Sequence, residues 1–237
     1  MIDLHCHLLP GVDDGPETLE ESVEYARMAV RAGTERIAAT PHVERVDVRE
    51  LPERVRELRE ALAAEGIDLG VECGGELKPH SVPGLAQDEL ELIAHGPVGR
   101  RWVLLEVPFQ GLGEHLLGAV EELRGRGFAS VLAHPERASG FGDSVVVLRE
   151  QVERGAAVQM NVGPLLGAES VERERAARRL LRSGLATALA TDAHPPGRPY
   201  TLREGYELAV ASGTPAADAR RLVSSAPREL LEGGLGL

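Results

Sequence analysis

Short apolar runs alternate with longer amphipathic stretches along the chain. Seven runs of four to six residues are almost continuously hydrophobic, and several are rich in β-branched side chains. Such runs are typical of strands that are covered on both faces of a sheet. The predicted strands are residues 2–5, 36–40, 70–73, 102–107, 130–133, 157–162 and 187–191.

Helical patterns fill the intervals between these strands. Thr18 and Glu21 have the spacing of a capping box, and Thr201 and Glu204 repeat it. Other helical patterns cover residues 51–65, 114–126, 144–153 and 169–182, and a short one begins at Ser225. Alternation of this kind predicts parallel strands joined by right-handed crossovers, in an open doubly wound sheet or a closed barrel. No GxGxxG or P-loop motif follows a strand, which weakens the nucleotide-binding version. No linker divides the chain, so we expect one domain over residues 1–237.

Ionisable side chains gather where the predicted strands end. Six of the seven strands run into a histidine, aspartate or glutamate, whereas the sixth ends at Asn161. The carboxyl ends of the strands of a parallel barrel share one rim, and active sites lie there. The residues concerned are His5, His7, His42, Glu76, Glu106, His134, Asp192 and His194.

This donor set favours a metal centre. Imidazole and carboxylate groups bind zinc, manganese or iron, and residues two apart in a strand, such as His5 and His7, point the same way. The first loop adds Asp13 and Asp14; Asp13 fits a turn or helix cap, and we choose Asp14 as the ligand. More ligands than one ion needs indicate two or three ions. Clustered divalent ions suit hydrolysis of a phosphate ester.

Each motif taken alone has a simpler explanation. A single HxH or DxH pair can arise by chance, and an isolated rim glutamate usually forms a salt bridge. We assign surface or supporting roles to His80, His95 and His115, which lie outside the strand-end pattern. Arg137 is either an ion-paired surface residue or a fork for two phosphate oxygens. Arg198 and Arg203 are weaker candidates for the same role.

Charge and cysteine content exclude several other classes. The formal net charge of -12 makes nucleic acid a poor partner. Cys6 and Cys73 cannot form a disulfide framework, and neither is followed by the Cys-x5-Arg spacing of a cysteine-dependent phosphatase. We expect no signal peptide and no membrane span, and hence a cytoplasmic protein. Lys78 is the only lysine, which we attribute to nucleotide bias of the source genome.

Six sequence segments resemble one known superfamily. HCHLLPGVDDGPET, ATPH, GGEL, LLEVPF, LAHPER and TDAH together resemble the PHP (polymerase and histidinol phosphatase) superfamily, over residues 1 to about 230. The opening and the HPER segment are most similar to its bacterial tyrosine-phosphatase branch, which occurs with capsule and exopolysaccharide genes. The resemblance implies an α/β fold, a distorted (β/α)7 barrel of the PHP type, similar to a TIM barrel. It also implies three divalent ions, often manganese, with zinc or iron as alternatives.

The resemblance further implies a grouping of ligands. One ion would be held by His5, His7, Glu106 and Asp192, a second by Glu76, Glu106 and His134 with Glu106 bridging, and a third by Asp14, His42 and His194. Arg137 matches an arginine that binds phosphate, and the segment DAHPPGRPY offers Arg198 as a second, with Arg203 as the alternative. The residues implied for catalysis are Arg137, Arg198 and Asp14.

The activity implied is phosphomonoester hydrolysis by attack of a metal-bridging hydroxide. The expected substrate is a phosphotyrosine protein, namely a bacterial tyrosine kinase of polysaccharide biosynthesis. The first alternative is a small-molecule phosphatase, such as one for histidinol phosphate. The second is a metal-binding protein without catalysis. The sequence leaves the oligomeric state open.

Overall fold

Eight strands form the centre of the molecule in the computed structural model, which describes the backbone of residues 1–237 and the side chains of residues 1–142 and 145–237. All seven predicted strands are present. A two-residue strand that the sequence did not predict, Glu76–Leu77, follows the strand Gly70–Cys73. The strands are β1 (Ile2–Cys6), β2 (Arg36–Ala39), β3 (Gly70–Cys73), β4 (Glu76–Leu77), β5 (Trp102–Glu106), β6 (Ala129–Ala133), β7 (Ala157–Asn161) and β8 (Ala188–Ala190).

Helices connect the strands on the outside. Thr18 and Thr201 form the predicted capping boxes with Glu21 and Glu204. Three of the helices were not identified from the sequence: α3 (Gln87–Ile93), α6 (Val162–Leu165) and α9 (Ala216–Val223). The helices are α1 (Leu19–Arg31), α2 (Leu51–Ala64), α3 (Gln87–Ile93), α4 (Glu114–Gly125), α5 (Phe141–Glu153), α6 (Val162–Leu165), α7 (Val171–Ser183), α8 (Leu202–Ala211), α9 (Ala216–Val223) and α10 (Ser225–Gly233). None of them is both long and apolar enough to cross a membrane.

Parallel pairing carries the strands around a closed ring. One sheet has the order β1-β2-β3 and the other β4-β5-β6-β7-β8. The ring closes just beyond β8, because Asp192 N–H donates to His5 O at 2.8 Å and His7 N–H donates to Ala193 O at 3.0 Å. Glu76 N–H donates to Pro41 O at 3.0 Å, which ties β4 to the end of β2. This closure confirms the barrel, with β3 and β4 together acting as its third strand.

The third strand is interrupted at Gly74 and Gly75. The buried His95 ring lies against this break, where a β-carbon at position 74 would lie 2.6 Å from His95 Nε2. The same imidazole packs on Trp102, with ring centroids 4.7 Å apart. Glycine is therefore required at position 74 for His95 to fill the space beside the strand. His95 is therefore a buried packing residue of the barrel and not a surface residue.

His95 should make folding stability depend on pH. Burial lowers the pKa of its imidazole to about 4. The unfolded chain therefore binds more protons between pH 6.5 and pH 4, so this contribution to stability is complete above pH 6.5 and is lost as the pH falls toward 4, by about 1.4 kcal/mol per pH unit. We expect a His95→Gln variant to lose this part of the pH dependence. Urea unfolding at pH 7, 6 and 5 checks it.

The matched control is His115→Gln, which removes an exposed imidazole. The His115→Gln variant should follow the wild-type pH profile. If the gap in unfolding free energy between wild type and His95→Gln stays constant from pH 7 to pH 5, the prediction is wrong.

The barrel interior changes from apolar to polar along each strand. Trp102 and Leu104 belong to a buried interior cluster, and Glu106, two residues further along the same face, reaches the site. Ala157 and Gln159 of β7 repeat this change. Helix α10 covers the apolar end, where Trp102 Nε1–H donates to Leu230 O at 2.8 Å. The same faces of these strands therefore form an apolar core at one end of the barrel and carry the candidate metal ligands at the other.

A bulge in β1 turns its histidine toward this polar end. The pairing of β1 with β2 shifts register between Asp3 and Cys6. Leu4 packs in the interior cluster, yet the next residue, His5, also contacts the interior through Gln159. Consecutive residues of a regular strand point to opposite faces, so the bulge is what allows both to point inward.

Candidate metal centre

The predicted ligands converge at the carboxyl end of the barrel. Every strand-end histidine and acid named from the sequence lies in one of four groups whose potential ligand atoms are within 4.8 Å of one another. An open cleft with a volume of about 570 Å³ lies above them. The groups are His7, Asp14, His42 and His194; His5, His134 and Asp192; His5, His7 and Glu76; and His42, Glu76 and Glu106.

Two neighbouring side chains orient the His5 and His7 rings. His5 Nδ1 lies 2.9 Å from Gln159 Oε1, and His7 Nδ1 lies 2.5 Å from Asp13 Oδ2. Both partners accept hydrogen bonds, so each ring carries its proton on Nδ1 and presents the Nε2 lone pair to the site. The two Nε2 atoms are 3.3 Å apart. Two lone pairs that face each other at this distance call for a cation between them.

The spacing of the donors fits such a cation. Glu76 Oε2 lies 3.6 Å from His5 Nε2 and 3.5 Å from His7 Nε2. Asp192 Oδ1 lies 3.4 Å from each of these nitrogens. A tetrahedron with ~2.1 Å from centre to vertex, as for zinc bound by nitrogen and oxygen, has edges of about 3.4 Å. These five distances, including the one between the two nitrogens, therefore have the length expected between donors to one ion.

Glu76 is the carboxylate that the groups share. Besides His5 and His7, it contacts His134 Nε2 through Oε1 at 2.9 Å and His42 Nδ1 through Oε2 at 2.9 Å. The resemblance to the PHP superfamily implied Glu106 in this bridging position. Glu106 instead falls only in the group with His42 and Glu76. Glu76 is therefore a second candidate for the bridging position, and the bridging role expected of Glu106 stays a prediction.

The third set of ligands lies at the mouth of the cleft. Asp14 Oδ1 is 3.6 Å from His42 Nε2 and 3.5 Å from His194 Nε2. His194 Nε2 and Glu106 Oε2 are buried and have no hydrogen-bond partner among the described residues. Buried polar atoms are nearly always paired, so these two atoms are explained by ligands that the protein does not itself supply. The donor set therefore fits more than one divalent ion.

The pKa values of the clustered acids and histidines also indicate a site for divalent ions. Burial raises the pKa of Glu76 and of Asp192, but the neighbouring histidines lower it more, and both carboxyls end well below their usual pKa. Burial raises the pKa of Glu106, and the charge of Glu76 raises it further. Burial and the charge of His7 lower the pKa of His194 to about 4. Acids and imidazoles this close cannot all hold their preferred charge without added cations.

Two ligand residues have strained backbones. His134 has φ 39° and Asp192 has φ 47°, and they are the only non-glycine residues with positive φ in the described backbone. A left-handed conformation costs roughly 1–3 kcal/mol at a non-glycine residue. His134 directly follows β6 and Asp192 lies two residues beyond the end of β8, and both turn their side chains into the cluster. The fold thus tolerates strain where ligand placement demands it.

Two of the three candidate arginines reach the site. Arg137 Nη1 donates to Asp192 Oδ2 at 3.0 Å, and its guanidinium lies 5.0 Å from the centroid of the Phe109 ring. Arg198 lines the same cleft, with Nη1 3.9 Å from Asp192 Oδ2. Arg203 instead donates through Nε to Ala32 O at 2.9 Å and does not line the cleft. Of the two arginines that follow the DxH motif, only Arg198 remains a candidate.

Sequence reasoning missed the residues that hold the ligands in place. Gln159 accepts from His5 and donates to Asn161 Oδ1 at 2.7 Å, and Asn161 Nδ2 donates to Asp192 Oδ2 at 2.7 Å. This chain of amides links ligands from two strands. The alternation of residues 157, 159 and 161 toward the interior of β7 was the signal that could have found it. His80, assigned a surface or supporting role, lines the cleft. Cys6, between His5 and His7, points away from the site into the apolar core between the strands and the outer helices.

Comparison with known proteins places these features in a family. The chain is 33% identical over 198 residues to the tyrosine-protein phosphatase YwqE of Bacillus subtilis, which covers 82% of this chain and 77% of the relative. It is 26% identical to the tyrosine-protein phosphatase CpsB of Streptococcus pneumoniae, over 98% of both chains. Its fold matches a chain from the crystal structures of YwqE and CpsB, described as unique metal-dependent tyrosine phosphatases. That match has a TM-score of 0.83 and 30% identity, over 98% of this chain and 94% of the other.

The relatives and the family model agree along nearly the whole chain. The model that matches residues 1–232 is described as "Capsular polysaccharide synthesis, CpsB/CapC". The resemblance drawn from the strand-end motifs is therefore confirmed. The chain belongs to the CpsB/CapC family.

Proposed function

We propose that this protein is a metal-dependent phosphomonoesterase that removes phosphate from phosphotyrosine in a protein. The observation that carries the proposal is the sharing of Glu76 among potential metal groups at the base of an open cleft, with Arg137 beside them. The names of YwqE and CpsB support the tyrosine-phosphate substrate. The family description supports a role in capsular polysaccharide synthesis, and hence a tyrosine kinase of that pathway as the substrate protein.

The donor groups would hold three divalent ions, and manganese is our proposal for them. One ion fits His5, His7 and Glu76, with Asp192 3.4 Å from both imidazoles; a second fits His42, Glu76 and Glu106, with His134 held by Glu76; and a third fits Asp14, His42 and His194. Bound divalent ions lower the pKa of water and neutralise charge on phosphoryl oxygens. Asp13 and Gln159 keep the lone pairs of His7 and His5 directed at the ion position.

The arginines would bind and orient the phosphate. Arg137 is largely buried, and its hydrogen bond to Asp192 fixes the guanidinium at the cleft wall. A guanidinium has five N–H groups in a planar fork, so those not used by Asp192 can reach two phosphate oxygens. Arg198 lies on a tight turn where His194 and Arg198 exchange main-chain hydrogen bonds at 2.8 and 3.1 Å. It would approach the phosphate from the side of β8.

An exposed aromatic ring favours an aryl ester. Phe109 lines the cleft, and 41% of its surface is exposed. It offers a flat apolar contact for a tyrosine ring whose phosphate lies among the ligands. In histidinol phosphate, the small-molecule alternative, the ester oxygen is bound to an alkyl carbon and the imidazole ring lies three carbons away, so its ring gains less from a contact beside the phosphate. The single-domain organisation and the cytoplasmic location expected from the sequence stay predictions.

Substrate preference tests the proposal directly. Purified protein reconstituted with manganese is expected to hydrolyse a phosphotyrosine peptide with a kcat/KM at least about fivefold above those for the matching phosphoserine peptide and for histidinol phosphate, since one aromatic contact contributes about 1 kcal/mol. A His7→Ala variant should be inactive on all three. Preference for histidinol phosphate would overturn the protein substrate. Activity that survives in His7→Ala, or its absence from the manganese-loaded wild type, would favour the non-catalytic alternative.

A further inference from the structure

The single lysine of the chain lies in the wall of the cleft. Lys78 is the only lysine among 26 basic residues, and it lines the same cleft as Arg137 and Arg198. If composition alone decided where arginine replaced lysine, the one exception would most often fall on the exposed helix surfaces, where most of the basic residues lie. Its position beside the metal ligands therefore needs a chemical reason.

The strand geometry directs Lys78 toward the cleft. Glu76 and Lys78 are two residues apart at the end of β4, and the backbone of Lys78 is extended, with φ -83° and ψ 146°. Residues two apart in an extended chain share a face, so Lys78 lies on the same face of the chain as Glu76. Leu77, between them, packs on the opposite face in the apolar core between the strands and the outer helices. The Lys78 ammonium pairs with Glu44 on the short 3-10 helix Val43–Arg45.

The pairing with Glu44 leaves donors for a ligand. An ammonium has three N–H groups, and one carboxylate oxygen takes one of them. The Lys78 side chain is 32% exposed, and that exposed part lies in the cleft.

Lys78 covers a side of the cleft that neither arginine reaches. In the ring of strands, Lys78 follows the third, Arg137 follows β6 and Arg198 follows β8, so each is at least two strands from the next. The guanidinium groups of Arg137 and Arg198 both lie beside the Asp192 carboxylate. The two arginines that line the cleft would therefore reach a bound phosphate dianion only from the side of Asp192, and Lys78 is the basic side chain on the opposite wall.

We propose that Lys78 is a third phosphate-binding residue, whose ammonium donates a hydrogen bond to an oxygen of the bound phosphate from the β4 side of the cleft. This inference rests on the proposed phosphatase function and adds a residue to its substrate site. The compact ammonium of a lysine fits beside Glu44, whereas the broader planar guanidinium of an arginine would need more room there. That difference gives a reason for lysine at this one position.

Phosphate affinity separates this role from simple pairing with Glu44. In the manganese enzyme we expect Lys78→Gln to raise the inhibition constant of inorganic phosphate and the KM for p-nitrophenyl phosphate about tenfold, as for loss of one hydrogen bond to a charged group. Lys78→Arg should cost only about threefold. Glu44→Gln, which frees the ammonium, should leave phosphate affinity unchanged or tighter. Arg54→Gln on α2, an exposed and distant cation, should match the wild type.

A second measurement observes the lysine directly. Reductive methylation with 13C-formaldehyde keeps the charge and labels only Lys78 and the N-terminal amine. In zinc-loaded protein, which is diamagnetic, the Lys78 signal is expected to shift on addition of inorganic phosphate, and the Lys78→Arg variant identifies that signal by its loss.

The outcomes distinguish the two levels of the proposal. If the wild type hydrolyses the ester but Lys78→Gln keeps wild-type phosphate affinity, the role of Lys78 is wrong and the phosphatase function stands. Equal losses of phosphate affinity in Lys78→Gln and Glu44→Gln would assign the lysine to pairing alone and overturn its role. A wild-type protein that neither hydrolyses the ester nor binds phosphate would overturn both.

Discussion

Replacing Glu76 with glutamine is expected to reduce kcat on p-nitrophenyl phosphate by about 1000-fold, because it removes several kcal/mol of metal-based stabilisation of the transition state. Glu76 lies within 3.6 Å of nitrogen atoms of His5, His7, His42 and His134, so its charge serves more than one potential ion. A neutral amide keeps the shape but offers only one weak oxygen ligand. Elemental analysis of the purified variant should show the loss of at least one ion per chain.

Glu106→Gln is the informative comparison for this variant. Glu106 belongs to one potential metal group, whereas Glu76 belongs to two. We therefore expect Glu106→Gln to retain more metal and more activity than Glu76→Gln. Glu72→Gln on β3, which changes a half-exposed glutamate that pairs with Arg36, is the matched control and should behave as the wild type. The reverse order of damage, with Glu106→Gln the worse, would restore Glu106 as the bridging carboxylate that the resemblance implied.

Removing the metal should inactivate the protein and lower its thermal unfolding midpoint by 10 °C or more. Each ion at about 100 times its Kd contributes ~2.7 kcal/mol to the free energy of unfolding, and 1 kcal/mol corresponds to about 2–4 °C in a chain of this size. Without bound ions, the carboxylates of Glu76, Glu106 and Asp192 converge, and besides histidines only Asp192 has arginines, Arg137 and Arg198, beside it. Differential scanning calorimetry before and after exhaustive chelation measures the shift, and added manganese should reverse it.

The His7→Ala variant supplies the control for metal removal. It lacks a donor that belongs to two of the groups, so chelation should change its unfolding midpoint much less than that of the wild type. A wild-type midpoint that does not move, in protein shown by elemental analysis to have lost its metal, would contradict a structural role for the ions. Turnover that persists in the same sample would contradict the metal-dependent chemistry as well.

The sequence was sufficient for the fold and for the membership of the site. Strands such as Trp102–Glu106 are covered on both faces, so their apolar runs stand out, and a parallel barrel brings all strand ends to one rim whatever the details. His5, Glu106 and Asp192 could therefore be assigned to one place from position alone. The short strand Glu76–Leu77 escaped prediction because Gly74 and Gly75 break the apolar run before it.

The grouping of the ligands could not be read from the sequence. Whether Glu76 or Glu106 lies between the histidines depends on the register of neighbouring strands and on the interruption of the third strand, which are long-range properties. The roles of Gln159 and Asp13 depend on side chains that meet across the barrel. Lys78 was visible only as an oddity of composition, because its meaning comes from the cleft it faces.

The closure of the barrel has a consequence for biosynthesis. The first strand completes its ring only with main-chain bonds from Asp192 and Ala193 to His5 and His7, residues more than 180 positions earlier in the chain. While the ribosome is still making the middle of the protein, His5 and His7 have no hydrogen-bond partners yet from the segment after β8, and the barrel is still open at β1. The two potential metal groups that include Asp192 or His194 are thus completed only at the last stage of assembly, and a chain cut short before residue 192 would lack both of these side chains.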